Sequence, residues 1–240
     1  MTVRCEMSCP IAPRPCRRAP RALLAALAFT LACSTVHMPV PPELAEHTEL
    51  LEARDRSRLG GLASESFELG PYAVKDVDRD WDETDEAGSD SVTTTKTEGG
   101  YTYRLGAGAL TLAGRCRVRS GKSEVDFGKG FTASAQGFAR VECDCGAGAS
   151  LNLEGDVDSY AGTLSLEGRP YTVRAIMQDD DGWDQKSPVG YRVDGDAPLG
   201  AVEVAHPGRV WLRRDLEEAG RAKLSCLFTG LLLYQPPELR

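Results

Sequence analysis

The sequence predicts a mostly β protein, built as a single antiparallel barrel or as a sandwich, with a hydrophobic carboxyl-terminal helix packed in it or on it. Three observations lead to this prediction. Short alternating runs of apolar and polar residues recur from Phe67 onward, turn residues separate these runs, and the last segment before residue 235 is apolar nearly all round. Many short strands at close spacing are typical of antiparallel barrels and sandwiches.

The first 32 residues are interpreted as a signal peptide and not as part of the fold. A basic stretch is followed by an apolar run of eleven residues, 22–32, which suits a secretory signal and is too short to span a bilayer. The basic residues are Arg14, Arg17, Arg18 and Arg21. An ordinary secreted protein cut near Ala32, or an uncleaved anchor, is the alternative interpretation.

The apolar run ends in Thr30-Leu31-Ala32-Cys33, which resembles the lipobox of bacterial lipoproteins. The resemblance implies that the signal is cut before Cys33, that its thiol is joined to a diacylglycerol and that the new amino terminus is acylated. Ser34 follows the cysteine, and in enteric members of that family a residue other than Asp there implies the outer membrane. Two or more acyl chains anchor a protein stably, so a lipid-anchored protein of the cell envelope is expected.

A tether is predicted between the lipid anchor and the β domain. Pro41-Pro42 precedes a segment, 43–58, that is compatible with a short helix, and Gly60-Gly61 follows it. Its thin apolar face suggests a spacer that holds the domain off the membrane. The predicted organisation is a signal peptide at 1–32, an anchor and tether at 33–64, and a β domain with its helix at 65–240.

The β prediction rests on short runs in which apolar and polar residues alternate, as they do when one face of a strand is buried. The runs are residues 101–105, 110–112, 116–118, 141–143, 151–153, 164–166, 171–173, 191–193 and 202–204. Glu167-Gly168, Asp194-Gly195 and Pro207-Gly208 stand between runs as turn signals.

The carboxyl end is predicted to be helical over residues 215–234. Asp215 is the candidate cap, and Glu217 and Glu218 lie in the first turn, where acidic groups favour the helix dipole. Residues 224–234 are apolar nearly all round, and a helix of this kind must be buried on every side. Eleven residues are too few to span a membrane, so the β layer is expected to wrap this helix.

A strand-rich chain that closes with a hydrophobic helix resembles the tubby-like barrel of tubby proteins, plant LURP-related proteins and phospholipid scramblases. The resemblance covers residues 67–234 and rests on element order and on the apolar segment 224–234. It implies a closed antiparallel barrel around the helix, and association with lipid or membrane. Tubby proteins hold phosphoinositides with basic residues, and no matching cluster is found in this sequence, so no binding residue is carried over.

Two disulfides are predicted from the four cysteines that follow Cys33. These are Cys116, Cys143, Cys145 and Cys226, and an oxidising compartment favours their pairing. Cys143 and Cys145 share one face of an alternating segment and lie about 6.6 Å apart along it, so a bond between them would be strained. We therefore expect Cys116 and Cys226 to take one each, and which takes which stays open.

The charge of the mature chain argues against nucleic acid as a partner. The leader carries five of the 28 basic residues and one of the 36 acidic ones, which leaves 23 against 35 and a net charge of −12. Nucleic-acid binding needs a basic footprint. A solvated acidic surface is the favoured interpretation, and the ligand is left as a protein or a lipid.

Two acidic stretches are candidates for calcium sites. Residues 76–85 alternate carboxylates, but an EF-hand loop starting at Asp76 would need Gly at 81 and Glu at 87, where the chain has Trp81 and Ala87. Residues 179–184 form a second acidic cluster. Both are interpreted as solvated loops between strands, and no metal or cofactor is predicted.

The remaining motifs do not assemble into a catalytic site. Cys143-Asp-Cys145 lacks the further ligands of a thiolate metal site, and Ser120-Gly-Lys-Ser123 lacks the first glycine of a phosphate-binding loop. His206 lies in a predicted turn with no GxSxG motif to serve. Trp81, Trp183 and Trp211 are candidates for a ligand platform, with Trp211 expected to be exposed, although core packing is the commoner use.

The sequence thus favours a non-catalytic binding or structural module of the cell envelope. A lipid-binding tubby-like barrel is the first alternative, and a carboxylate-based hydrolase is the second, since acidic residues are plentiful. The position of the helix discriminates between the first two. A helix inside the barrel leaves no room for a ligand, whereas a helix outside would leave an interior cavity.

Overall fold

The computed structural model describes residues 36–57, 65–89, 91–128, 131–135, 138–156 and 159–234. Within these ranges the chain forms thirteen strands and two helices. They are α1 (Pro42–His47), β1 (Thr48–Arg54), β2 (Glu65–Leu69), β3 (Tyr72–Ser89), β4 (Val92–Ala107), β5 (Leu110–Asp126), β6 (Thr132–Ala135), β7 (Ala139–Cys145), β8 (Ala149–Asp156), β9 (Ser159–Leu166), β10 (Arg169–Ile176), β11 (Gly190–Asp194), β12 (Pro198–Glu203), β13 (Arg209–Arg213) and α2 (Glu218–Leu233).

Twelve of the described strands close into an antiparallel barrel, which confirms the predicted fold class and selects the barrel over the sandwich. Most neighbours in sequence are neighbours in the ring, β7 pairs with β5, and β13 pairs with β1 to close it. The thirteenth strand, β6, adds to β5 outside the ring. Closure removes the open sheet edges that would otherwise invite aggregation.

Helix α2 lies inside this ring. Residues from Leu224 to Leu233 are buried on every face, and they join one apolar cluster with the inward side chains of the strands. The hydroxyl groups of Tyr101 and Tyr103 on β4 donate to the carbonyl oxygens of Gly230 and Cys226, each at 2.7 Å. A helix that is apolar all round can be stable in water only with such a covering.

The start of α2 differs from the prediction. The helix begins at Glu218, after Glu217 at the N-cap position, which makes no side-chain capping bond. Asp215, the predicted cap, instead accepts a 2.6 Å hydrogen bond from Nε of Arg213. The prediction was wrong because a carboxylate near a helix start can equally be satisfied by a neighbouring guanidinium.

The predicted tether is also corrected. The helix expected over residues 43–58 ends at His47, and Thr48–Arg54 is strand β1, paired with β13 on one side and β2 on the other. The barrel therefore begins well before residue 65. Leu51 and Ala53 alternate into the core, and this long-range pairing outweighs the local helix preference of the sequence. Gly60-Gly61 lies outside the described residues.

Both predicted disulfides form, and the open pairing is resolved. Cys116 bonds to Cys143, its cross-strand neighbour on β7, and Cys145 bonds to Cys226 on α2. All four side chains are buried in the barrel interior, and Cys143 and Cys145 share a face as predicted. The second disulfide therefore fastens the central helix to the wall around it.

Strands β3, β4 and β5 continue past the ring as an extension that we call the arm. It comprises residues 80–89 of β3, 92–99 of β4, 121–126 of β5, and β6. The acidic stretch 76–85, predicted to be a loop, lies within β3. The loop prediction was wrong because the described arm residues of β4 and β5 are exposed or half-buried and none is buried, so the arm strands show no apolar alternation.

Candidate functional surface at one end of the barrel

The antiparallel strands place their turns alternately at the two ends of the barrel. Helix α2 follows β13 into one end and finishes at Leu233 near the other, which we call the exit end. The β3–β4 and β5–β6 turns, the last residue of β12 and the loop 177–189 all lie toward the exit end.

At the exit end, Arg79 and Glu65 cover the last turn of α2. Nη1 of Arg79 donates to the carbonyl oxygen of Leu233 at 3.0 Å, and Nη2 donates to Oε2 of Glu65 at 2.6 Å. Both side chains are only 5% exposed, and the guanidinium lies 5.4 Å from the ring centre of Tyr101. A cation at a helix carboxyl terminus offsets its negative dipole end, and Glu65 neutralises the buried charge.

Arg56 also covers the helix terminus. Its Nη1 donates to the carbonyl oxygens of Val204 and Pro207, and its Nη2 donates to that of Leu232. Burial lowers the pKa of the Arg56 guanidinium from its ordinary value. His206 bonds through Nε2 to the Arg56 carbonyl oxygen at 2.8 Å, so this histidine fastens a turn.

Buried tyrosines complete the covering of the helix. Burial raises the pKa of Tyr101, Tyr103, Tyr191 and Tyr234 above the ordinary value for a phenol. They therefore stay neutral at any physiological pH, and the Tyr101 and Tyr103 hydroxyls serve as donors to backbone carbonyls. The interior is thus occupied by helix side chains and closed at the exit end by arginine and tyrosine.

On the outer wall, residues 36–47 form a strap over β11, β12 and β13. Glu203 on β12 is fully buried beneath it and accepts a 2.7 Å hydrogen bond from the backbone N–H of Met38. Arg209 binds both carboxylate oxygens of Glu203 at 2.9 and 2.6 Å, which raises the pKa of the guanidinium. His37 lies 3.3 Å from the same carboxylate. A buried carboxylate is stable only with such partners, so Glu203 fixes the strap.

The strap also covers Trp211, contrary to the expectation that this residue is exposed. Trp211 faces outward from β13 but is only 5% exposed, because it packs with Met38, Leu44 and Ala201 in a second apolar cluster. The alternation placed Trp211 on the outer face correctly. The covering segment comes from a distant part of the chain, which local pattern does not reveal.

The arm combines polar faces with an apolar tip. Phe127 and Phe131, which flank the β5–β6 turn, are 71% and 76% exposed. The backbone N–H of Phe127 donates to the Phe131 carbonyl oxygen at 2.9 Å, which holds the two aromatic residues side by side. Threonine and serine are frequent on the arm strands behind them, as in the Thr94–Ser123 contact of 3.3 Å.

Trp183 is a further exposed aromatic residue at the exit end. It is 71% exposed on the loop 177–189, and this loop meets the strap through a 2.9 Å hydrogen bond from the Asp180 N–H to the His37 carbonyl oxygen. Asp179 of the same loop accepts bonds from the Trp183 N–H and from Gln185. The acidic cluster 179–184 thus uses carboxylates to shape its own turn.

The other residues selected from the sequence are dispersed. Ser120 and Ser123 lie within β5, and Cys33 and the leader lie outside the described residues. Across the described part of the chain, no group of three or more His, Cys, Asp or Glu side chains is arranged to hold a metal ion. Neither described helix is long and apolar enough to cross a membrane.

Sequence reasoning missed the arginine covering of α2, the buried Glu203 and the aromatic tip of the arm. The first two depend on contacts between distant segments and left no local signal. The tip left one, since Phe127-Gly-Lys-Gly-Phe131 is a glycine turn between two aromatic residues.

Comparisons of the chain with protein-family models, with curated proteins and with solved structures found no match.

Proposed function

We propose that this chain is a lipoprotein of the cell envelope, anchored through acyl chains on Cys33, that acts without catalysis as a binding or structural module. The leader pattern supports the anchor, and two buried disulfides suit an oxidising compartment outside the cytoplasm. The outer membrane is the proposed destination, because Ser34 follows the lipidated cysteine.

The observation that carries the proposal is the position of α2. Side chains of the helix from Leu224 onward fill the ring and are buried on all sides. A ligand site inside the barrel would need the space that the helix occupies. Binding is therefore assigned to the outer surface, and the alternative of a lipid held within a tubby-like barrel loses its support.

A carboxylate-based hydrolase is less well supported. Such an enzyme needs two facing carboxyl groups about 5–10 Å apart in an accessible cleft. The buried glutamates of the described chain, Glu65 and Glu203, are each bound to an arginine, and each contributes to packing. Asp179 is bound within its own loop.

The anchor is tested by comparing two cysteine variants of the full chain in a bacterial host that processes lipoproteins. Cys33→Ser should abolish incorporation of a labelled fatty acid and should lower the share of the protein in the membrane fraction. Cys16→Ser removes a leader cysteine instead and should change neither property. Intact mass after alkylation without reduction should show acyl chains on Cys33 and no alkylated thiol.

Fatty-acid incorporation that persists in Cys33→Ser would contradict the proposal. So would an unacylated, uncleaved native chain whose cysteines are alkylated, because the compartment argument would then fail together with the anchor.

A further inference from the structure

Three exposed or surface features lie together at the exit end of the barrel. The strap begins there, because Met38 bonds to Glu203 at the end of β12. The exposed tip of the arm lies beyond the same end, and so does the exposed Trp183. Each feature comes from a different region of the sequence, so their common location is set by the fold.

The strap limits how far the barrel can stand from a lipid on Cys33. Three residues separate Cys33 from His37, and a fully extended chain across this separation spans at most about 14 Å. Since His37 and Met38 are held against Glu203, the membrane must lie near the exit end. The sequence predicts a spacer that holds the domain away from the membrane. The short segment between Cys33 and His37 would instead keep the domain close to it.

The arm is longer than the segment that joins Cys33 to His37. Residues 80–89 of β3 extend past Arg79, where the strand leaves the barrel, and ten residues of strand span roughly 30 Å. An arm of this length that projects from the exit end can therefore reach a bilayer held near that end. Its tip carries two phenylalanine side chains whose exposure serves no packing within the described chain.

We propose that the exit end is a membrane-contacting surface, in which Phe127 and Phe131 insert into the interfacial region of the bilayer that holds the Cys33 lipid. Trp183 makes a second contact nearer the strap. The proposal rests on the proposed anchoring at Cys33 and adds an orientation to it. Insertion of exposed aromatic residues at the membrane interface lowers the free energy of the system, because apolar area is buried there.

The charge of the chain says which kind of lipid the tip suits. The mature chain carries 35 acidic against 23 basic residues, and the arm strand β3 contributes several of the carboxylates. Attraction to anionic headgroups is therefore not the driving force. Contact through buried apolar area predicts binding to zwitterionic phosphatidylcholine that weakens when phosphatidylglycerol is added.

The direct test places an indole at the tip of the full chain reconstituted in phosphatidylcholine vesicles, with or without bromine on the acyl chains. Phe131→Trp and the control Leu50→Trp are each made in a Trp183→Phe background. Leu50 is 44% exposed on β1, a strand of the ring that does not extend into the arm. Bromine should quench most of the emission added by Phe131→Trp and little of that added by Leu50→Trp.

A second measurement removes the apolar tip from the unacylated Cys33→Ser chain. Phe127→Ser with Phe131→Ser should weaken flotation with phosphatidylcholine vesicles about 10-fold or more, whereas Leu50→Ser should leave it unchanged. The leader is in the same state in both variants, so it does not contribute to the difference in flotation between them.

An indole at 131 that stays unquenched while the protein is vesicle-bound would overturn the proposal and point to a protein partner for the tip. Equal flotation of the serine variants would overturn it also. The intact mass of the reconstituted sample reports acylation separately, so a failure of anchoring and a failure of tip insertion are distinguished.

Discussion

The barrel and the arm share the strands β3, β4 and β5, yet they differ in what those strands face. Within the ring, Tyr101 and Tyr103 of β4 are 5% and 1% exposed against α2. Farther along the same strand, Thr95 and Thr97 continue the inward face but have no helix to cover. The difference shows that burial organises the barrel, whereas strand pairing and β-branched residues sustain the arm.

The comparison predicts that stability resides in the links between the helix and the wall. Replacing Cys145 and Cys226 by alanine removes a crosslink with a sequence separation of 81, and replacing Cys116 and Cys143 removes one of 27. Loop-closure entropy gives losses of about 4.5 and about 3.5 kcal/mol in the free energy of unfolding. Urea unfolding of the two double variants measures both, and a larger loss for the Cys116–Cys143 pair would break this account.

A pair of phenylalanine variants compares the two regions directly. Phe228→Ala on α2 leaves a cavity in the filled interior and should cost about 3–5 kcal/mol. Phe131→Ala on the arm tip, where the ring is 76% exposed, should change the free energy of unfolding by about 0.5 kcal/mol or less. Denaturant titration of both variants decides the matter, and comparable losses would mean that the tip packs against the chain.

A change that weakens the strap is expected to lower the free energy of unfolding by an amount between the effects of the two phenylalanine variants. Glu203→Gln removes the negative charge that binds Arg209. It also places an amide N–H group against the N–H donors of Met38 and Arg209, so the free energy of unfolding should fall by about 1–3 kcal/mol. Detachment would expose Trp211 and shift its emission to longer wavelength. Glu43→Gln, on an exposed residue of α1, is the matched control and should leave the emission unchanged. An unshifted spectrum in a destabilised Glu203→Gln protein would show that the strap does not depend on this carboxylate.

Much of the barrel could be predicted, because one-sided burial leaves a period of two in the sequence. The run 101–105 and the shared face of Cys143 and Cys145 are examples. The apolar segment 224–234 likewise announced a helix that needed covering. These features are local, and their pattern survives without knowledge of the partner strand.

The wrong predictions concern segments whose pairing or packing partners are distant in the sequence or absent. Thr48–Arg54 was predicted to be helical because its Glu, Leu and Ala residues favour helix, and only pairing with β13 makes it a strand. The acidic residues 76–85 were predicted to be a loop because an arm solvated on both faces has no apolar alternation. Glu203 and the strap illustrate the same limit, since Glu203 and Met38 are 165 positions apart in the sequence.

Hydrogen exchange of the full chain, free in detergent and bound to phosphatidylcholine vesicles, tests most directly the claim that the interior is closed and that function lies on the outer surface. The account predicts that amides of α2 are among the slowest to exchange in both states. Vesicles should add protection only in peptides containing Phe127, Phe131 and Trp183. Fast exchange in α2, or protection gained by inward-facing strands of the barrel, would contradict the account and restore an interior ligand site.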